Sequence, residues 1–297
     1  MQETPLVTVI CLCYNQEKYV VEALNSVINQ SYNNINLIIV DDFSSDNSRE
    51  VIKNWLVNFP DFQFISNTQN LGNTKSFNQA AKLATGDYLI DLAADDILNA
   101  DCISLQIDAF QKSTYSNLGI VYGNAENINK NGSFDSYYFP VDDKQKVISK
   151  RPTGNIYIFI LAGGNCMCSV SAMIKKEVFD NLNGYDENLY YEDLDFWIRT
   201  SRIYDFDFID AILVKKRILN NSLGMQFFKR KEISKNINTT TYHILKKAFE
   251  LNKTKEENKA LLKRVHFEIQ LHLKNNSLTL LLRLLILKMK INWKILL

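Results

Sequence analysis

The stretch VTVICLCYNQEKYVVEALNSVINQSYNNINLIIVDDFSSDNS, residues 7–48, decides the fold class. Val7 to Cys13 is a short apolar run, the composition of a strand buried on both faces. Val20, Leu24, Val27 and Ile28 then recur at helical spacing. Ile35 to Val40 is a second apolar run that stops at Asp41-Asp42, and Ser45 or Asp46 is placed to cap a helix with Val51, Ile52, Trp55 and Leu56 on its apolar face.

The alternation continues outward. Phe62 to Ile65 reads as a third strand, Phe77 to Ala84 as a helix closed by Gly86, and Tyr88 to Leu92 as a strand ending at Asp95-Asp96. Ile103, Ile107 and Phe110 mark a fourth helix, Ile120 to Tyr122 a fifth strand, and Asn131-Gly132 a hairpin turn. Short links between strand and helix predict an α/β fold, a parallel sheet covered by helices on both faces. Further on, Ile156 to Leu161 reads as helix, Cys166 to Ile174 as strand, residues 192–203 as helix and Phe206 to Val214 as strand. Beyond Leu223 only helical patterns remain.

Composition narrows the class. The 297 residues are 46% hydrophobic with 10 Gly and 4 Pro, which excludes a disordered or collagenous chain. Five cysteines are no disulfide framework and suit a reducing cytoplasm. Cys11-x-Cys13 and Cys166-x-Cys168 would each share a strand face, but structural zinc sites space their cysteines more widely, and buried cysteine is the better reading. MQETP carries no positive n-region, so no signal peptide is read. The net charge of +1 hides an asymmetry: residues 223–297 hold 16 Lys and Arg against 5 acids, a balance of +11, leaving −10 for residues 1–222. Chemistry is expected in the acidic part and an anionic partner for the basic part.

In open α/β sheets ligands bind beyond the carboxyl ends of the strands. Tyr14-Asn15, Asp41-Asp42 and Asp95-Asp96 gather there. Adjacent carboxylates repel unless a cation or donors compensate them, although Asp near a helix start is also a favourable cap. No G-x-G-x-x-G or G-x-x-x-x-G-K-[ST] is present, which argues against a dinucleotide dehydrogenase or P-loop NTPase. Phosphate then needs a hard divalent cation, for which Asp95-Asp96 would be the bridge, or basic side chains.

These residues carry a resemblance. The opening stretch resembles the nucleotide-binding half of family 2 glycosyltransferases of the GT-A fold. NLGNTKSFNQAAKLATGDYLIDLAADD, residues 70–96, resembles their next block with its metal-binding acids, and GYDENLYYEDLDFWIR, residues 184–199, the block holding their catalytic base. The resemblance covers about residues 5–222. It implies a GT-A-like, Rossmann-type mixed sheet flanked by helices in residues 1–222, with a nucleotide-binding half over about 1–125 and an acceptor half over about 126–222. Residues 223–297 form a basic helical C-terminal extension outside it.

The resemblance also implies roles. Tyr14 lies on or near the base, and Asp41 accepts the base imide N–H, which favours UDP. Asp95 lies near ribose and metal, and Asp96 binds Mn²⁺ or Mg²⁺. Asp193 is the general base with Glu192 beside it, while Asp195 is read as a solvated helix residue. Asn15, Asp42, Lys75 and Arg217 complete the nucleotide-sugar set. Two positions depart from the pattern: Ala93 stands where many relatives carry an acid, and Leu219, in KRILNNS, where many carry a His; Arg217 or Lys75 would compensate. The implied reaction is inverting transfer of a hexosyl or N-acetylhexosaminyl group from a nucleoside diphosphate sugar to a glycan or lipid-linked hydroxyl, in polysaccharide biosynthesis. A nucleotidyltransferase and a non-catalytic nucleotide-sugar binding protein are the alternatives.

Gly163-Gly164-Asn165 is either a plain turn or a loop lining the acceptor cleft. The terminal LTLLLRLLILKMKINWKILL is broken by Arg283, Lys288, Lys290 and Lys294, which argues against a spanning helix. It fits a helix lying on an anionic membrane surface, or one packed on the catalytic domain or on a second subunit of a homodimer. Nucleic acid is the weaker reading, because aromatic residues are sparse there. The setting expected is cytoplasmic, peripheral on the inner face of the cell membrane.

Overall fold

A computed structural model describes residues 4–219, 232–274 and 278–297. The start of MQETP, the end of KRILNNS and the expected boundary at residue 222 lie outside the described residues. Strand β1 (Val7–Cys13) runs parallel between β2 (Ile35–Asp41) and β4 (Tyr88–Ala93), and β3 (Gln63–Ser66) lies parallel outside β2. Helices α1 (Val20–Ile28), α2 (Ser48–Leu56) and α3 (Asn73–Ala81) connect these strands, with Leu24, Ile52 and Phe77 buried against the sheet. Each such fully buried side chain contributes about 1.5–3 kcal/mol.

Beyond β4 the sheet changes character. Among the described residues nine strands form one sheet in the order β3-β2-β1-β4-β8-β6-β9-β5, with β7 paired to β6. These are β5 (Ile97–Leu98), β6 (Leu118–Ile128), β7 (Phe134–Tyr137), β8 (Met173–Lys175) and β9 (Asp205–Arg217). β8 is antiparallel to both β4 and β6, so the sheet is mixed, as the resemblance implies; the parallel run read from the alternation holds from β3 to β4, and β6 and β9 form a further parallel pair. Asn131-Gly132 does turn β6 into β7.

Four strand spacings, about 19 Å if the sheet were flat, separate β4 from β5. The chain joins Ala93 to Ile97 in four steps, a reach of at most about 14 Å. The sheet therefore curls, and the Asp95-Asp96 turn is drawn against the end of β9, where Ile97 pairs with Lys215.

The expected strand from Cys166 to Ile174 is shorter. Its first part is an irregular loop with a 3₁₀ turn at Ser169–Ser171. The Ser171 hydroxyl exchanges hydrogen bonds with the backbone of Gly123 and donates to the carbonyl of Cys168, replacing a strand ladder with side-chain bonds. Cys166 and Cys168 thus share no strand face, and the premise for a converging second thiol pair fails.

The remaining helices are α4 (Cys102–Lys112), α5 (Tyr157–Ala162), α6 (Lys176–Asn181), α7 (Asp193–Ser201), α8 (Glu232–Leu251), α9 (Lys255–Lys274) and α10 (Leu278–Leu296). Helix α9 packs on α5, α8 on α7, and α10 on α8 and α9, so the helical extension rests against the second half of the sheet. Among the described residues no helix is long and apolar enough to cross a membrane.

Candidate active site

Register brings the strand ends to one edge. Asp41 pairs with Cys13 across β1 and β2, and Ala93 pairs with Leu12 across β1 and β4. The loops after all three strands therefore open together.

Asp41 is fully buried. Its Oδ2 accepts from the Ser44 amide at 3.3 Å and Arg49 Nε at 3.4 Å, while Oδ1 is buried with no partner. An uncompensated buried acceptor is costly, so this atom is built to receive a donor. Tyr14 stands half exposed beside it in the chain order of the loops. Phe43, also half exposed, has φ of 63°, a conformation that costs a bulky residue about 1–2 kcal/mol. Sequence reasoning missed Phe43; the only signal was its place directly after the acidic pair.

Asn15 and Asp42 bind protein. Asn15, at φ 57°, accepts from the Ser45 amide at 2.7 Å and ties the loop after β1 to the loop after β2. Asp42 accepts from Asn67 Nδ2, Ser76 Oγ and the amides of Leu71 and Gly72, all within 2.9 Å, and so anchors the start of α3. Lys75 sits on the exposed side of α3.

Asp95 and Asp96 lie in the turn out of β4. The Arg217 amide donates to Asp96 Oδ1 at 2.8 Å, and Arg217 Nε donates to the Asp95 carbonyl at 3.0 Å. The rest of that buried guanidinium reaches Glu22 at 2.5 Å and the Asn129 carbonyl at 3.2 Å, and it lies 4.5 Å from the Tyr19 ring. Arg217 therefore braces the acidic turn. Burial, then the neighbouring Asp95 charge, pushes the Asp96 carboxyl well above the ordinary range. Burial also raises Asp95, against its own backbone hydrogen bond and the Arg217 and Lys216 charges. Among the described residues no group of three or more His, Cys, Asp or Glu gathers around one point.

A cleft of ≈240 Å³ adjoins this edge. Its walls include Ala93, Asp91, Glu192, Asp193, Tyr185, Ser169, Tyr138 and Lys216. Asp193 Oδ1 accepts from the Leu194 amide at 2.6 Å. Its Oδ2 accepts from Ser169 Oγ at 3.1 Å, and Ser169 Oγ in turn accepts from Trp197 Nε1 at 3.0 Å. Burial and then the Asp193 charge raise the Glu192 carboxyl, whose Oε2 is buried without a partner. Asp91, two residues before Ala93 and so on the same strand face, is likewise raised by burial and by Glu192; Tyr185 donates to it at 3.2 Å. Asp91 was overlooked in the sequence, where its signal was one carboxylate inside the apolar run YLIDLA. Lys216 also lines the cleft, and its only sequence signal is its place beside Arg217 at the end of β9.

Asp195 corrects an expectation. It is buried, and it pairs with Arg199 at 2.7 Å and with Lys247 of α8 at 3.1 Å. Arg199 is a local partner, while the tail supplies the second cation, which no local sequence pattern shows. Gly163 and Gly164 have φ of 79° and 82° and form the turn after α5. A Cβ on Gly163 would meet Arg264 of α9 at 2.8 Å. A larger depression of ≈1060 Å³ lies at the opposite, amino end of the strands, around Leu6, Gly86 and Asp87. Its acids Glu177 and Asp180 are paired with Lys175 and Lys176, and the loops at the carboxyl ends of β1, β2 and β4 do not reach it, so the smaller cleft is the candidate site.

The family described as Glycosyl transferase family 2 matches residues 8–182. The chain belongs to that family. An uncharacterized glycosyltransferase of Methanocaldococcus jannaschii is 30% identical over 251 residues, 83% of this chain and 82% of that protein. The chondroitin synthase of Escherichia coli is 27% identical over 215 residues, 71% of this chain but 29% of that longer protein. Among solved structures, S. aureus TarS 1–349 in complex with UDP-GlcNAc superimposes with a TM-score of 0.65 at 15% identity, covering 91% of this chain and 73% of that one. The mannosyltransferase PcManGT of Pyrobaculum calidifontis, in complex with GDP-Man and Mn²⁺, gives 0.61 at 17% identity, with 95% and 74% covered. The curled mixed sheet of this family 2 glycosyltransferase is thus of the GT-A type.

Proposed function

We propose that the protein is an inverting, metal-dependent glycosyltransferase. It moves a hexosyl or N-acetylhexosaminyl group from a UDP-sugar to a hydroxyl of a glycan or lipid-linked acceptor in polysaccharide assembly. The observation that carries this reading is that one cleft is walled both by Ala93, at the mouth of the acidic turn, and by Asp193, held through Ser169 and Trp197. A donor bound at the strand ends would direct its sugar toward that carboxylate.

The base lies against Tyr14 and Phe43, and Asp41 Oδ1 accepts the imide N–H of uracil. A guanine presents a different edge, and the UDP-GlcNAc bound by the TarS structure is consistent with uracil here. Asp95 lies near the ribose. Asp96, with Asp95 beside it, is a hard oxygen donor whose charged form suffers from burial and repulsion, which is what a divalent cation relieves. Asp96, with Asp95 beside it, would hold Mn²⁺ or Mg²⁺, which would offset the negative charge of the diphosphate. Lys216 supplies a fixed positive charge in the cleft. Asp193 takes the proton of the acceptor hydroxyl as that oxygen bonds to the anomeric carbon. The bond from that carbon to the diphosphate oxygen breaks on the opposite face, and UDP leaves. Asn15, Asp42 and Arg217 hold the loops that position these groups, and Lys75 is the exposed cation nearest the start of α3.

The test pairs turnover with nucleotide binding. UDP should be released from a UDP-sugar, and UDP with Mn²⁺ should raise the melting temperature more than GDP does. Asp41→Ala should weaken UDP binding by about 10–100-fold, the worth of one hydrogen bond to a buried charge. Equal shifts with UDP and GDP in the unaltered protein would remove the uracil assignment.

A further inference from the structure

Helix α10 carries two apolar faces. Leu280, Leu284, Leu287 and Ile291 recur every three to four residues and are buried. Leu278, Leu282, Leu285, Met289, Trp293 and Leu296 recur with the same spacing and are exposed, Leu282 by 61%, Met289 by 62% and Trp293 by 66%. The two sets are offset by two residues, about 200° around a helix, so they stand on opposite sides. A helix that needed only to dock on its own domain would present a polar outer side.

The charges on α10 have one sign. Its sequence LTLLLRLLILKMKINWKIL holds Arg283, Lys288, Lys290 and Lys294 and no carboxylate. Lys294 is held by the backbone carbonyl of Asn252 at 2.8 Å, and Arg283 lies 5.8 Å from the Tyr242 ring. By helical position, Arg283 and Lys290 lie along one flank of the exposed stripe and Lys288 along the other. Beside Trp293 there is an apolar pocket of ≈500 Å³ walled by Phe249, Met289 and Leu297 together with Lys290 and Lys294. Apolar walls next to ammonium groups match the acyl chain and phosphate of an anionic lipid.

We propose that the outer face of α10 is an interfacial helix that docks the protein on an anionic lipid surface. Leu282, Met289 and Trp293 enter the acyl boundary, and the flanking cations meet the headgroups. The attachment of the tail gives the docking a consequence for the site. Thr240 of α8 accepts from the Tyr190 amide at 3.0 Å, and Thr241 bonds the Tyr191 hydroxyl at 2.8 Å, immediately before Glu192-Asp193. Asn252 accepts from Tyr157 of α5 at 2.8 Å. A surface-bound α10 therefore holds the base loop near the bilayer, where a lipid-linked acceptor would be presented. That last step rests on the transferase reading; the docking does not.

The full-length protein is tested with vesicles of phosphatidylcholine alone and with added phosphatidylglycerol. Trp293 is the reporter, since Trp55 and Trp197 are buried. Its emission should shift to the blue, and the protein should co-sediment, with the anionic vesicles far more than with the neutral ones. The double variant Leu282→Glu, Met289→Glu should lower the partition coefficient by about tenfold or more, with melting temperature and UDP response unchanged. Lys288→Gln with Lys290→Gln should erase the preference for phosphatidylglycerol. Absence of vesicle binding overturns the proposal, as does a concentration-dependent dimer that the double glutamate variant splits without any vesicle binding. A protein that binds vesicles but releases no UDP would leave the docking standing and remove the transferase reading instead.

Discussion

The sheet region and the helical tail solve the problem of charge in opposite ways. The sheet region has a balance of −10, and it concentrates carboxylates where water is scarce: Asp91, Asp95, Asp96 and Glu192 are all held protonated to higher pH than free side chains. The tail has +11, and it places part of that charge at the seam between the two. There Lys247 reaches Asp186 and Asp195, while Arg202 of the sheet region meets Glu257 of the tail. The difference teaches that net charge per region does not by itself name a partner. Some tail cations neutralise acids of the same chain, while those of α10 share their helix with no carboxylate.

Three changes would break or sharpen this contrast. The largest effect is expected from Asp193→Asn, which leaves the acidic turn intact and removes the carboxylate proposed as the base. Turnover should fall by about 10²–10⁴-fold with UDP binding retained, the usual worth of a positioned base. Near-normal turnover, read as UDP release, would transfer the role to Glu192.

The seam comes next. Asp195→Ala leaves Arg199 and Lys247 facing a position without charge. A fully buried pair costs about 3–5 kcal/mol to break; Lys247 is 38% exposed, and about 2–3 kcal/mol is expected here. Urea denaturation measures it, and an unchanged midpoint would mean that the tail is not held through this acid.

The smallest effect lies within the tail. His272 is buried, its Nδ1 has no partner, and burial lowers its pKa against the raising influence of Glu268. The unfolded chain therefore binds the proton more readily than the folded one. The stability that neutral His272 allows is complete above its ordinary value of about 6.5 and is lost as pH falls through that value. Comparing melting temperatures of the unaltered protein and His272→Gln across pH 5–8 should show a steeper acid-side decline in the former. Parallel curves would show that the folded tail tolerates a charged His272.

Much of the site is local in sequence and was legible there. β1, β2 and β4 are mostly apolar runs followed by polar pairs, and a residue at the end of such a strand has few places to go. What each polar residue does was less legible, because hydrogen bonds over long sequence separation decide it. Asp41 and Asp42 are neighbours of the same type; one keeps a buried oxygen unpartnered, while the other is saturated by donors from 25 to 34 residues away. Asp195 has a partner four residues on in Arg199, but the second cation that accompanies its burial comes from residue 247. The short β5 and the Ser169–Ser171 turn carry too few residues for any periodicity to register.

The sequence by itself determined the α/β alternation, the strand-end acids and the charge asymmetry, since these depend on residue type and on spacings of two or three to four. Only the tertiary structure decided the curl that draws Asp96 against Arg217, the Trp197–Ser169–Asp193 chain that holds this carboxylate, and which face of α10 is left uncovered. The physical reason is the same in each case. A side chain's environment is set by whichever groups the fold brings to it from far along the chain, and burial then multiplies the energetic weight of every charge and donor it meets.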